Sequence, residues 1–454
     1  MNLSFETVAS VAKPIAAITL GIVFSALLLK KIKPYFQKRK TKVKGSSKRK
    51  ASGVIFGKSH GKYICSSEQE EGHIFVNGPS GTGKTSALLI PTLRHWHGTS
   101  FTVDISGDIS RNVEMENKLE FAPGEEPTSP YDIFYLVNQA ESAAEKHELL
   151  EQLAFQLMPD VPRNDSVGKF FLEEGRKLLT AALIVYYEDG AGFIEICKLI
   201  ASTNVQVLLE DIVRYDNDVA NRYISGFLGA NEKNTAGCKQ CVDTHIKLFS
   251  TNHSVMHALR SPKKGELSIN PKLVETHNLF VRIEDSKLEL YAPLLSIIVA
   301  QMMEYFSNRS NYAKASILFC LDEFASFGKL NITPALRKLR KKKVRIMVLT
   351  QSLADIDLIY GKEERSSMMN NFSYKVVLGA MDTDTQDYFS KLIGQEETVK
   401  LSVQKGNTGT STTQVKEFHP SVRPEELAHL GKHLILISPN GWQKIRKNFY
   451  FRRK

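Results

Sequence analysis

Residues 73–93 read HIFVNGPSGTGKTSALLIPTL, an apolar run entering the pattern G-x-x-x-x-G-K-T, with Gly78, Gly83, Lys84 and Thr85 at the fixed places. Such a stretch commits the chain to a strand, a tight glycine turn and a helix. That arrangement cradles the phosphates of a nucleoside triphosphate in backbone N–H groups. Gly78 closes the turn after the strand, and Gly81 and Gly83 let the backbone come close to the phosphates. The cradle is Gly78, Pro79, Ser80, Gly81, Thr82, Gly83, Lys84, Thr85 and Ser86. Lys84 neutralises β/γ-phosphate charge, the Thr85 hydroxyl ligates magnesium, and the following helix points its N-terminus at the phosphates.

A loop of this kind also needs a carboxylate for the metal and a group that orients the attacking water. The segment ILFCLDEF (317–324) supplies both, with Asp322 at the end of an apolar strand as magnesium ligand and Glu323 beside it to polarise a water. A carboxylate in the place of Glu323 separates ATP hydrolases from simple nucleotide binders. The next apolar run, VRIMVLTQS (344–352), ends in Gln351, an amide placed to sense the γ-phosphate. Just before it lies RKLRKKKVR (337–345), with Arg337, Lys338, Arg340, Lys341, Lys342, Lys343 and Arg345. Three readings of this cluster stay open: a solvated helix face, an arginine reaching a neighbouring subunit's γ-phosphate, or lysines tracking a nucleic-acid backbone.

Charge is distributed unevenly. Residues 1–50 hold twelve Lys/Arg and one acid, Glu6, so their +11 equals the formal net charge of the whole chain and the remainder balances. The basic run KKIKPYFQKRKTKVKGSSKRK (30–50) follows an uncharged apolar stretch, Pro14 to Leu29. Those residues rise roughly 24 Å as a helix, and flanking lysines that snorkel cover the shortfall against a bilayer core of about 30 Å. With charges after the apolar stretch, the reading is a transmembrane anchor (1–30) with its N-terminus outside, a basic linker (31–52) holding anionic headgroups, and the bulk in the cytoplasm. Five scattered cysteines suit a reducing compartment. Cys238-x-x-Cys241 with His245 resembles half a metal site, but no second pair completes it, and it reads as structural.

Further apolar β-rich runs occur at 100–105, 278–283, 374–381 and 433–439, separated by helical segments such as 290–307 and 384–393. They predict an α/β fold with a mostly parallel sheet, its strands covered on both faces. Between 141 and 274 apolar residues recur at three- and four-residue spacing, which predicts an all-helical insertion splitting the α/β domain into 53–140 and 275–454. The polar stretch QKGNTGTSTTQ (404–414) reads as a flexible loop.

The motifs GPSGTGKT with IPTL, DISGDI, SPYDIF, FFLEEGRKLLTAALIVYY, LDEFASFGKL, TQSLADIDLIYG and RPEELAHL together resemble the type IV coupling proteins, the TraG/TraD-like ATPases of conjugation and type IV secretion. The likeness runs from about residue 53 onward. It implies a hexameric ATPase of the bacterial inner membrane with a RecA-like motor domain, using ATP and Mg2+, whose helical insertion meets substrate complexes. It also implies that Lys84 and Thr85 act at the phosphates, Asp322 and Glu323 at the metal and water, and Gln351 as sensor. Arg340, eleven residues before Gln351, matches the family's trans-acting arginine. The resemblance departs in showing one N-terminal apolar segment where two are common, and in ending soon after the last strand.

The leading expectation is a DNA-stimulated ATPase coupling a relaxosome, a relaxase with its single strand, to a type IV channel. The same enzyme carrying effector proteins, recruited through adaptors, is the close alternative. A nucleotide-gated docking receptor needs none of Glu323, Gln351 and Arg340. A DNA-segregation translocase of the FtsK type is disfavoured by the lack of further membrane spans and of a winged-helix end domain.

Overall fold

The computed structural model describes residues 52–451, except 106, 127, 161–165 and 407–408, together with a two-residue strand at Ser47–Lys48. The apolar stretch and most of the basic run near the N-terminus therefore lie outside the described residues. Residues 45–454 form one compact unit.

Its centre is a twelve-stranded sheet. In chain order the strands are β1 (Ser47–Lys48), β2 (Val54–Ser59), β3 (Lys62–Ser66), β4 (His73–Asn77), β5 (Thr99–Ile105), β6 (Lys118–Phe121), β7 (Asn278–Ile283), β8 (Ile317–Leu321), β9 (Val344–Thr350), β10 (Phe372–Val377), then, beyond a separate hairpin, β13 (His433–Ser438) and β14 (Gly441–Arg446). The spatial order is β1-β3-β2-β14-β13-β10-β4-β9-β8-β5-β7-β6. From β10 to β6 every pairing is parallel. Successive side chains of β8 alternate between two cores: Ile317, Phe319 and Leu321 face one, Leu318 and Cys320 the other. Burial on both faces accounts for the unbroken apolar runs of the parallel strands.

One core lies under α1, which opens as a π-helical turn at Lys84–Leu89 and continues through Ile90–Leu93. It also takes Ile109 of the short helix α2 (Asp108–Asn112). The other core is continuous with the helical region between β6 and β7. That region comprises α3 (Tyr135–Gln139), α4 (Ala143–Leu157), α5 (Ser166–Glu188), α6 (Phe193–Ser202), α7 (Val205–Arg214), α8 (Asp218–Ile224), α9 (Glu232–Thr251) and α10 (His253–Ala258). Asparagine carbonyls at 204, 217, 231 and 252 accept the first free N–H groups of α7 to α10, so four consecutive helices start on the same local device.

After β7 comes α11 (Leu288–Ser307), long and apolar enough by composition to cross a membrane. It serves instead as a core helix, with Leu294, Ile298, Met302 and Phe306 fully buried against the sheet. Its buried Gln301 accepts from the Tyr131 hydroxyl and donates to the Ile133 carbonyl, fastening the entry into the helical region.

The sheet is mostly parallel as expected but carries an antiparallel edge, and one expectation from sequence is corrected. The apolar run at 433–439 is a strand, but β13 pairs antiparallel with β10, and β14, β2, β3 and β1 extend that edge antiparallel. An apolar run encodes burial, not strand direction. Residues 404–406 and 409–414 are strand rather than loop: β11 (Gln395–Gly406) and β12 (Gly409–Pro420) pair antiparallel, up to Gly406↔Gly409. The β-branched Thr398, Val399, Val403, Thr410, Thr412, Thr413 and Val415 of the two strands favour extended backbone.

Candidate nucleotide-binding site

The glycine loop leaves β4 at its C-terminal end. The Gly78 N–H donates to the Thr350 carbonyl at the end of β9 (3.1 Å), and the Asn77 amide donates to the Gly379 carbonyl (2.9 Å). The loop is thus fixed to the ends of both neighbouring strands. The Thr82 hydroxyl closes the turn on the Pro79 carbonyl at 2.7 Å. Gly81 and Gly83 take φ of 75° and 99°, the left-handed region that a side chain disfavours. Lys84 is 7% exposed; its ammonium donates to the Gly78 carbonyl (2.8 Å) and lies 3.6 Å from Glu323 Oε1. Thr85 and Ser86 follow in the first turn of α1, beside free helix N–H groups.

The acidic side comes from β8. Asp322 is 5% exposed and accepts the Glu323 N–H (3.2 Å). Burial first, and then the Glu323 charge, push its carboxyl up to about 7, against the pull of Lys84. Glu323 takes left-handed backbone, φ 49°, ψ 46°, unusual for a residue with a side chain. Its carboxylate meets both Lys84 and the Gln351 amide, which donates to Oε2 at 3.1 Å. Four predicted residues from three strand ends therefore converge, on the carboxyl edge where open α/β sheets hold ligands.

The donor set fits a polyphosphate with a divalent cation. It combines a cradle open at Gly81, where an added Cβ would meet nothing within 4 Å, with a buried ammonium, a hydroxyl at Thr85 and a buried carboxylate at Asp322. Asp104, the first residue of the DISGDI motif, lies beside this group. It is fully buried at the end of β5 and accepts the Ile109 and Ser110 N–H groups (3.1 and 2.7 Å). Burial raises its carboxyl, and its charge raises that of Asp322. The available signal was a lone acid ending an apolar strand, the same signal that marks Asp322.

Arg340 is elsewhere. It lies in a 3-10 turn ahead of β9, and seven residues of extended strand put it roughly 23 Å from Gln351 at the other end. It is exposed and pairs with Glu71 at 3.4 Å. The basic cluster is not one surface. Arg337, Lys338 and Lys341 are exposed, whereas Arg345 is buried and donates to the carbonyls of Gly72 and Ser67 and to the Ser66 hydroxyl. Arg345 is a structural clamp. Cys238 is buried in α9, and the His245 ring donates Nδ1–H to the Cys241 carbonyl of its own helix (2.8 Å).

A family profile described as the type IV secretion-system coupling protein DNA-binding domain matches residues 58–445. Among curated relatives, the protein VirD4 of Rhizobium rhizogenes is 23% identical over 429 residues, covering 88% of this chain and 62% of its own. The conjugal transfer protein TraG of Agrobacterium fabrum is 23% identical, covering 88% and 61%. The chain thus spans about three fifths of the length of these relatives. The solved bacterial conjugative coupling protein TrwB superposes with a TM-score of 0.71 at 21% identity, over 91% of this chain and 93% of that one. TrwB has also been solved with ADP and Mg2+, at a TM-score of 0.68 and again 21% identity, over 91% and 93% of the two chains. A profile match spanning most of the described residues, on this fold, shows that the chain belongs to the type IV coupling protein family.

Proposed function

We propose that the chain is a membrane-anchored ATPase that couples relaxase-bound single-stranded DNA to a type IV secretion or conjugation channel and drives its transfer. The observation that carries this reading is the meeting of Lys84, Asp322, Glu323 and Gln351 at one edge of the sheet. It is supported by the relatives VirD4, TraG and TrwB.

In this reading the loop N–H groups from Gly78 to Ser86 bind the phosphates and Lys84 holds the β/γ charge. Thr85 and Asp322 hold magnesium, which when bound neutralises charge on the transferring phosphoryl group. Lys84 leaves the Gly78 carbonyl and Glu323 as phosphate oxygens take over its charge. Glu323, released, accepts the proton of the attacking water on its carboxylate, and Gln351 holds that carboxylate in place. Arg340 cannot serve the site of its own chain from the far end of β9. It acts in trans, on the nucleotide of the next subunit of a RecA-like homo-hexamer, where head-to-tail contacts bring opposite edges together. Residues 1–30 anchor each subunit in the inner membrane, the linker 31–52 holds anionic headgroups, and the helical region 141–274 faces substrate.

The test is ATP turnover by the full chain in detergent, with and without single-stranded DNA, and with Lys84→Ala as background. The reading expects turnover that DNA stimulates and that Lys84→Ala abolishes. Turnover indifferent to DNA points to protein cargo, and turnover at background in assembled protein leaves a docking receptor.

A further inference from the structure

Beyond β14 the chain does not leave the sheet; it crosses to the glycine loop. Lys447 anchors the crossing: it is buried, its N–H donates to the Lys432 carbonyl (2.9 Å), and its ammonium donates to the Leu378 carbonyl (3.2 Å). Three aromatics follow, Phe449, Tyr450 and Phe451.

Their placement has a local cause in α1. The helix opens in the π register, where the Ile90 N–H reaches the Thr85 carbonyl. In that register the Ser86 carbonyl faces residue 91, which is proline and has no N–H to give. The Tyr450 N–H fills the vacancy at 3.0 Å. The tail is therefore hydrogen-bonded to the very turn whose N–H groups would hold phosphate. Phe449 lies against Gly83, where an added Cβ would come within 3.0 Å of the ring. The Arg94 guanidinium sits 4.9 Å over the Tyr450 ring, and the Phe449 and Phe451 centroids are 5.3 Å apart with 38° between planes.

The loop has a polarity. Lys84 and Glu323 mark its β/γ-phosphate end. The aromatic tail meets the loop at Gly83 and Ser86, and a nucleotide held by its β- and γ-phosphates at Lys84 would direct its sugar and base away from that ammonium, past the start of the helix. We propose that Phe449 and Phe451 form the stacking platform for the nucleotide's purine base, an inference that rests on the nucleotide-binding reading above. Aromatic faces recognise any base by its π-system, so the platform takes adenine and guanine alike.

The test measures affinities of the full chain in detergent, with magnesium, for ATP, GTP and inorganic tripolyphosphate, which has no base. Phe449→Leu keeps apolar contact with Gly83 but removes the aromatic face. It should weaken ATP and GTP by about tenfold or more and leave tripolyphosphate unchanged, with Phe449→Tyr close to wild type. Equal weakening of all three, or of none, overturns the platform. Should Phe449→Leu not fold, the wild-type chain decides: 2-aminopurine riboside triphosphate fluorescence should be quenched on binding, and unquenched binding overturns the proposal. Failure of the wild type to bind any of the ligands, or Lys84→Ala binding as tightly as wild type, would instead overturn the nucleotide site itself.

Discussion

Glu323 is a side chain held in backbone that side chains avoid, at a cost of order 1–3 kcal/mol. Normal β-region backbone at the end of β8 would carry its carboxylate away from Lys84 and Gln351. Glu323→Gln should keep the fold and nucleotide binding while turnover falls about 10²- to 10⁴-fold, as expected for loss of a general base; single-turnover assays with a binding control check it. His73 offers a test of the scaffold. Its ring is fully buried at the start of β4, with Nδ1 accepting the Ile346 N–H (2.9 Å) and Nε2–H donating to the Leu336 carbonyl (2.7 Å). Both nitrogens are used by the neutral form, and burial, then the positive Arg345 and Arg340, hold the pKa down to about 4. A folded pKa below the unfolded 6.5 means the unfolded state binds the proton first. Stability is therefore complete above pH 6.5 and falls as pH drops toward 4, by up to about 3 kcal/mol. Denaturant midpoints from pH 7 to 4 should show this slope, and His73→Asn should flatten it while lowering stability at pH 7.

At the scale of elements, two buried polar residues tie pieces of chain together. Gln301 of α11 serves both the Tyr131 hydroxyl and the Ile133 carbonyl, so Gln301→Leu should cost about 1–3 kcal/mol in chemical denaturation by leaving them unpaired. Arg345 of β9 serves three acceptors at the mouth of β3 and β4. Arg345→Met should destabilise by a similar amount or more yet leave the salt dependence of DNA binding unchanged, because this charge never meets solvent. In sequence, Arg345 looked the same as Lys341. What separates them is a turn at Ser66–Ser67 that lies far away in the chain. The Phe449–Gly83 contact was hidden for the same reason. The parallel strands were readable because burial on two faces writes itself as a run of Val, Ile, Leu and Phe, and the acids and amide at 322, 323 and 351 were readable because such runs end at them. The hairpin β11–β12 was missed because it lies outside the central sheet, with no continuous apolar run to mark it.

The whole molecule presents its candidate site on one edge of the sheet and Arg340 on the opposite one. In the homo-hexamer proposed above, each interface would bring the Arg340 of one subunit to the site of the next. Turnover should therefore rise more steeply than linearly with protein concentration until assembly is complete. The most direct measurement is turnover in mixtures of Arg340→Ala and Glu323→Gln chains, each nearly inactive alone. An Arg340→Ala subunit keeps its own Glu323, and a Glu323→Gln neighbour lends it Arg340. Turnover in the mixture should stand well above the sum of the two variants. Mixed assemblies that form but stay at that sum would contradict it.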